Sequence, residues 1–261
     1  MKGTGSMARI GFLGAGEIAS VMVQTIAGDG HQITVSLRNE RVSAALAAAH
    51  PGLRRAANQT VVDDSDIVVL CLLADVARKD LPGLRFRKDQ TVISVMARMS
   101  IDELRGLCAP AHDICVAIPL PPMPMGGTPL ACFPENPRLT ELFGRHAQIH
   151  PCPSEAALNA HFAATGTLLP FLDQIDIAAG WLADFTGDKT QASAYLAGLI
   201  GGYCRLLTAP DAPPLAQLRA GLGTEGGLNQ TLSKALQDSG AHEALRDGLD
   251  GLRAGLNLPP K

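Results

Sequence analysis

Arg9-Ile10-Gly11-Phe12-Leu13-Gly14-Ala15-Gly16-Glu17-Ile18-Ala19 is the stretch that decides the fold. Arg9 to Leu13 reads as a strand. It runs straight into Gly14-x-Gly16-x-x-Ala19, and Ile18 to Ala27 then has helical character. A strand, a glycine turn and a helix start, in that order, are the fingerprint of a dinucleotide-binding βαβ unit. Gly14 permits the tight turn, Gly16 lets the backbone approach a pyrophosphate, and Ala19 lets the helix pack on the sheet. The N–H groups of the helix start then face the phosphates. A glycine-rich strand–helix turn without a ligand is the alternative.

Working outward, Ile33 to Leu37, Asp66 to Leu72, Thr91 to Met96 and Ile114 to Ile118 read as further strands, the second of these almost wholly apolar. Such strands belong in a sheet covered on both faces, and such sheets are mostly parallel. Arg41 to Ala49 and Ile101 to Leu107 are helical stretches between them. The alternation predicts an α/β class: a Rossmann-type, doubly wound parallel sheet. Near Pro151-Cys152-Pro153 the β signal stops. Ser154 to Phe185 reads as one long helix kinked at Pro170, and Thr190 to Leu207 as a second. Pro210 to Pro214 reads as a loop. Leu228, Leu232, Ala235 and Leu236 share one helical face, as do Leu245, Leu249, Leu252 and Leu256. The expected organisation is a tag or loose tail over residues 1–6, a dinucleotide-binding domain over 7–153 and an all-helical domain over 154–261. Ala194, Ala197, Gly198, Gly201 and Gly202 allow close helix approach. A second subunit would cover so apolar a helical layer, giving a homodimer or a higher oligomer; alternatively the two domains bury each other.

The 261 residues are 46% hydrophobic and 18% charged, with a net charge of -3. That balance excludes a disordered chain. No basic stripe marks a nucleic-acid binder, and no apolar run is long and unbroken enough to span a bilayer. A small molecule is the expected partner. Six cysteines, none in a C-x-x-C pair, read as buried free thiols in a reducing, cytoplasmic setting. The histidines have no metal-ligand spacing, so no metal is expected.

The choice of dinucleotide turns on Leu37-Arg38-Asn39-Glu40-Arg41, at the end of the second strand. An NAD site usually carries a carboxylate there for the ribose hydroxyls. Here the strand-end positions are Arg38 and Asn39, and a guanidinium suits a 2′-phosphate. NADP is favoured over NAD on this reading. Should the strand end later, Glu40 would face the ribose instead.

Four stretches, in order, resemble the pyrroline-5-carboxylate reductase family. The first is the Ile10-to-Ala19 fingerprint. The second is Asp66 to Leu72 followed by Val92 to Leu104, similar to the family's "VISxxAGxSIxxL". The third is Val116 to Pro122, similar to "RxMPNTP". The fourth is Gly223 to Leu232 with Leu236 to His242 behind it, similar to "TSPGGTTxxxL" and the segment after it. The resemblance implies a Rossmann domain followed by a helical dimerisation domain, and NADPH-dependent reduction of a cyclic imine or imino acid, as in proline biosynthesis. It implies a cofactor site at Gly11, Leu13, Gly14, Ala15, Gly16, Glu17, Ile18, Arg38, Asn39, Asn58, Leu72, Leu73, Met96 and Ala97. Substrate positions would be Leu120, Gly226, Gly227, Leu228 and Asn229, with Thr224 and Asn229 as catalytic candidates.

The chain departs from that pattern at several positions. Leu73-Ala74 stands where the family has Lys-Pro, Arg98 where it has Gly, and Leu120 where it has Asn. Leu228 and Asn229 replace two threonines, and Ala164 to Leu168 replaces "SGSGP". The scaffold is thus kept while the pocket differs. A helix starting at Gly226-Gly227 could still hold a carboxylate through backbone N–H groups. Thr224 and Asn229 either serve the imine nitrogen or cap that helix. Pro119 to Gly127, with Met123 and Met125, is either an apolar wall beside the nicotinamide or a rigid connector whose methionines fill the core. Two other functions stay open: an F420-dependent NADP oxidoreductase, and a dinucleotide-binding protein altered in catalysis.

Overall fold

The computed structural model describes residues 7–261, so the tail expected over residues 1–6 lies outside the described residues. The first unit alternates strand and helix through β1 (Arg9–Leu13), α1 (Glu17–Ile26), β2 (Gln32–Ser36), α2 (Glu40–Ala49), β3 (Arg54–Ala56), α3 (Asn58–Asp63), β4 (Ile67–Leu70) and α4 (Ala74–Asp80). It continues through β5 (Thr91–Ser94), α5 (Ile101–Leu107), β6 (Asp113–Ile118), β7 (Thr128–Phe133), α6 (Pro137–Phe143), β8 (Ala147–Pro151) and α7 (Glu155–Thr165). The strands form one eight-stranded sheet in the order β3-β2-β1-β4-β5-β6-β7-β8. All pairs are parallel except β6 with β7. The strand order reverses between β1 and β4, and ligands of open α/β sheets bind at the carboxyl ends of strands at such a point.

Side-chain alternation along each strand feeds two apolar layers. Ile10, Phe12, Ile67 and Val69 join Met22, Val23 and Ile26 of α1. Leu13, Val68 and Leu70 join Val61, Val62 and Leu104. Each such side chain contributes about 1.5–3 kcal/mol by leaving water.

Three strands escape the sequence pattern. β3 is Arg-Arg-Ala at a sheet edge. β8 carries a histidine and a proline. β7 contains Pro129, which lacks an N–H. β6 pairs only with Ala131, Cys132 and Phe133 of β7, so Pro129 lies beyond that ladder.

The chain divides into two compact units, one running to Phe162 and including Ala254–Pro260, the other holding Ala163–Arg253 and Lys261. The division falls later than residue 153 because α7 is tied to the first unit. The Glu155 carboxylate accepts the Ile101 N–H at 2.8 Å, and Leu158 is buried in the layer around Val68.

The second unit comprises α8 (Leu168–Thr186), α9 (Lys189–Leu207), α10 (Leu215–Leu222), α11 (Leu228–Asp238) and α12 (Ala241–Gly251). The single helix expected over 154–185 is in fact two, α7 and α8, broken at Gly166-Thr167. Pro170 sits in the first turn of α8, where its missing N–H has no partner to lose, so it causes no kink. Gly187 (φ +75°) turns α8 into α9, and Asp188 caps α9 by accepting the Gln191 N–H at 3.0 Å. The buried apolar residues of this unit are Ala163, Ala179 and Ala192. Its large apolar side chains are mostly exposed. No helix among the described residues is long and apolar enough to cross a membrane.

Candidate functional site

The turn after β1 is tightly built. Gly14 has φ +96°, a region that favours glycine. Its N–H donates to Oγ of buried Ser36, the last residue of β2, at 2.9 Å. A Cβ on Gly14 would run into the Cys71 carbonyl, 2.8 Å from its carbon. Gly16 differs: it precedes α1 with φ −96°, and a Cβ there would meet nothing within 4 Å. No side chain caps α1, so the N–H groups of its first turn stay open for an anion. Removing the Ser36 hydroxyl leaves the Gly14 N–H without its partner, at a cost of about 1–3 kcal/mol. Ser36→Ala should therefore lower the melting temperature by several degrees in a thermal scan. An unchanged melt would show that this bond does not hold the turn.

Gly14, Ala15 and Gly16 line a cleft of about 170 Å³ together with Arg38, Asn39, Cys71, Leu72, Leu73 and Val76. Seven residues expected at the cofactor thus meet in one place: Gly14, Ala15, Gly16, Arg38, Asn39, Leu72 and Leu73. The other seven do not line it. Gly11 and Leu13 are buried in β1, and the space of a Gly11 side chain is taken by Ser65 and Val61. Glu17 is the exposed first residue of α1, and Ile18 packs on the core. Asn58 begins α3, half-buried. Met96 is buried, its N–H donating to Ser94 Oγ at 3.2 Å, and Ala97 is half-buried beside it. Gly11 and Leu13 lie inside β1, Glu17 and Ile18 are on α1, and Asn58, Met96 and Ala97 belong to other elements, so nearness to the glycine turn in sequence does not by itself bring a residue to the cleft.

β2 ends at Ser36, so the later strand end on which the Glu40 alternative depended does not occur. Glu40 is the first residue of α2 and pairs with Arg55 at 3.7 Å. Asn39 caps α2 from a left-handed conformation (φ +56°). Arg38 Nη1 lies 2.8 Å from Asp80 Oδ2, at the end of α4. Sequence reading missed Asp80 and Val76 as part of this locality because α4 carries no strong periodic signal, and Cys71 because it reads as one more apolar residue at the end of the β4 run. Burial pushes the Cys71 thiol up to about 12, so it stays neutral beside the Gly14–Gly16 turn.

The substrate candidates divide between the two units. Leu120 follows β6, half-buried, and its carbonyl accepts the Met123 N–H at 3.0 Å. Met123 fills the core, as the connector reading has it, while Met125 is exposed and does not line the cleft at the glycine turn. Arg98 has φ +64° and lines a separate cavity of about 250 Å³ with Ser100, Glu155, Asn159 and Asn257. In the helical unit, α11 begins at Leu228, with Gly227 before it and no side chain capping it. Neither Thr224 nor Asn229 therefore acts as the cap. The Gly226 N–H donates instead to Gln230 Oε1 at 2.8 Å, and the Gly227 N–H to the Thr224 carbonyl at 2.9 Å. Leu228 is 91% exposed. Asn229 lines a groove of about 930 Å³ between α10 and α11 with Arg219, Gln230 and Lys234; Thr224, Gly226, Gly227 and Leu228 do not. Among the described residues, no three His, Cys, Asp or Glu side chains are placed to hold a metal.

Comparisons with known proteins bear on the fold. Residues 9–98 match the family model described as NADP oxidoreductase coenzyme F420-dependent. No curated protein matches the sequence. Among solved structures, the pyrroline-5-carboxylate reductase of Streptococcus pyogenes superposes with a TM-score of 0.83 at 18% identity, over 97% of this chain and 99% of that one. The Plasmodium falciparum pyrroline carboxylate reductase, solved with NADP bound, gives 0.79 at 16% identity, over 97% of each chain. The Coxiella burnetii pyrroline-5-carboxylate reductase gives 0.74 at 19% identity, again over 97% of each chain. At these identities the likeness is one of fold: this chain has the architecture of the pyrroline-5-carboxylate reductases, a Rossmann-type sheet followed by helices.

Proposed function

We propose that the protein is an NADPH-dependent oxidoreductase that reduces the C=N bond of a cyclic imino acid. The observation that carries this reading is the cleft where the Gly14–Gly16 turn, the open start of α1 and Arg38 meet. These groups fit a dinucleotide. The helix start takes the diphosphate through backbone N–H groups, and the guanidinium takes a 2′-phosphate. Leu72, Leu73 and Val76 offer an apolar wall for a flat base. When bound, the reduced nicotinamide supplies the hydride that adds to the C=N carbon. An iminium arrives already protonated, so the chain need only bind and orient it. The start of α11 leaves the N–H groups of Leu228 and Asn229 without partners four residues earlier, which suits a substrate carboxylate. The Asn229 amide is the candidate group for the imine nitrogen. The helical unit pairs with a second copy, because its own buried residues are alanines.

The test follows nicotinamide absorbance with NADPH or NADH, pyrroline-5-carboxylate and a panel of larger cyclic imines. Turnover of at least one imino acid is expected. NADPH binding with silence across the panel would replace the enzyme by a binding protein. A second reading draws on the family model over residues 9–98: hydride exchange between NADP and a deazaflavin coenzyme. Oxidation of the reduced deazaflavin by NADP, with no imine turnover, would favour it.

A further inference from the structure

The sequence places no carboxylate at the end of β2, but the fold brings one to Arg38 from forty-two residues away. Asp80, the last residue of α4, approaches the Arg38 guanidinium at 2.8 Å. Val76 lies one turn earlier on α4 and lines the cleft, so Asp80 stands on the same helical face. Asp80 is the only ion-pair partner of Arg38 among the described residues. Arg38 is 48% exposed and Asp80 27%, so a ligand can reach both.

The two groups ask for different nucleotides. Asp80 takes only Nη1 of the guanidinium, so a 2′-phosphate would have to share Arg38 with the Asp80 carboxylate and lie beside that like charge. A ribose with free hydroxyls donates to a carboxylate without disturbing the pair. We propose that Asp80 is a specificity-determining residue of this cleft. It holds Arg38 and restrains the preference for a 2′-phosphate, so that the protein takes NADH as well as NADPH. The proposal rests on the nucleotide-binding reading above.

The experiment titrates NADPH and NADH against the full chain by fluorescence, at low salt, for wild type, Asp80→Asn, Arg38→Gln and the double variant. Wild type should bind both nucleotides with affinities within roughly tenfold of each other. Asp80→Asn should shift the affinity ratio toward NADPH by roughly two- to fivefold, the scale of a partly exposed charge pair. The shift should shrink in high salt. Arg38→Gln should weaken NADPH more than NADH, and on that background Asp80→Asn should have a smaller effect on the ratio. Melting curves check that each variant is folded. Should both nucleotides bind wild type and the ratio stay unmoved in Asp80→Asn, the proposal falls while the nucleotide site stands. An equal shift with and without Arg38 also overturns it, since Asp80 would then not act by holding Arg38. If neither nucleotide binds wild type, the reading beneath it fails as well.

Discussion

Gly14→Ala is expected to abolish nucleotide binding and to destabilise the protein by several kcal/mol. Two effects add. At φ +96° an L side chain is strained, at about 1–3 kcal/mol. The new methyl also meets the Cys71 carbonyl. That carbonyl cannot easily retreat, because Cys71 follows β4 in register with β1 and its N–H donates to the Leu13 carbonyl at 2.8 Å. Relief must come from the turn itself, which breaks the Gly14–Ser36 bond and moves the start of α1. Gly16→Ala is the matched control, since its φ of −96° is ordinary and its methyl enters open space. It should melt like wild type, yet bind NADPH more weakly by about tenfold or more, because the methyl stands where a diphosphate would approach. Thermal unfolding and a fluorescence titration read both effects. A Gly14→Ala protein that melts like wild type contradicts the geometry of the turn. A Gly16→Ala protein with unchanged affinity removes the diphosphate from the helix start.

The contrast between these glycines shows what the sequence carried. The order strand, Gly14-x-Gly16, helix is local, and local chemistry fixed β1, α1 and the turn. The apolar runs of β4, β5 and β6 were legible because strands covered on both faces cannot hide their composition. β3 was not, since a short edge strand made of Arg-Arg-Ala leaves no hydrophobic period. β7 was hidden by Pro129, which lies beyond the β6 ladder and sits opposite Gln148 of β8 on its other side. In the site, Arg38 and Asn39 were found because they follow β2 directly. Asp80 was not, because its meeting with Arg38 depends on how α4 lies across the sheet end. The residues after Gly227 were correctly read as a helix start, but the capping role weighed for Thr224 and Asn229 is unfilled. Gln230 reaches back to the Gly226 N–H instead, a contact no spacing rule had singled out.

Ile177→Glu with Leu199→Glu should convert an oligomer into monomers. Ile177, Trp181 and Phe185 recur every four residues on α8, and Tyr195, Leu199 and Tyr203 do so on α9. In the single chain Ile177 is 73% exposed and Trp181 66%, with the Trp181 and Phe185 rings 5.1 Å apart between centroids. Side chains of this size are normally where a helical unit gains its stability, and here they lie at its surface. Gly198 and Gly202 have open space where a side chain would be, so α9 offers a shallow surface for close approach. A second copy covering these faces would give the unit the large-side-chain core it lacks. Two glutamates placed there would be buried without partners, at several kcal/mol each, which weakens association on the order of a thousandfold or more. Sedimentation should find wild type as a dimer or larger and the variant near the 27.3 kDa of one chain. The melting temperature of wild type should also rise with protein concentration, and that of the variant should not. A wild-type protein that sediments as a monomer would mean that these apolar faces serve another purpose than pairing of copies.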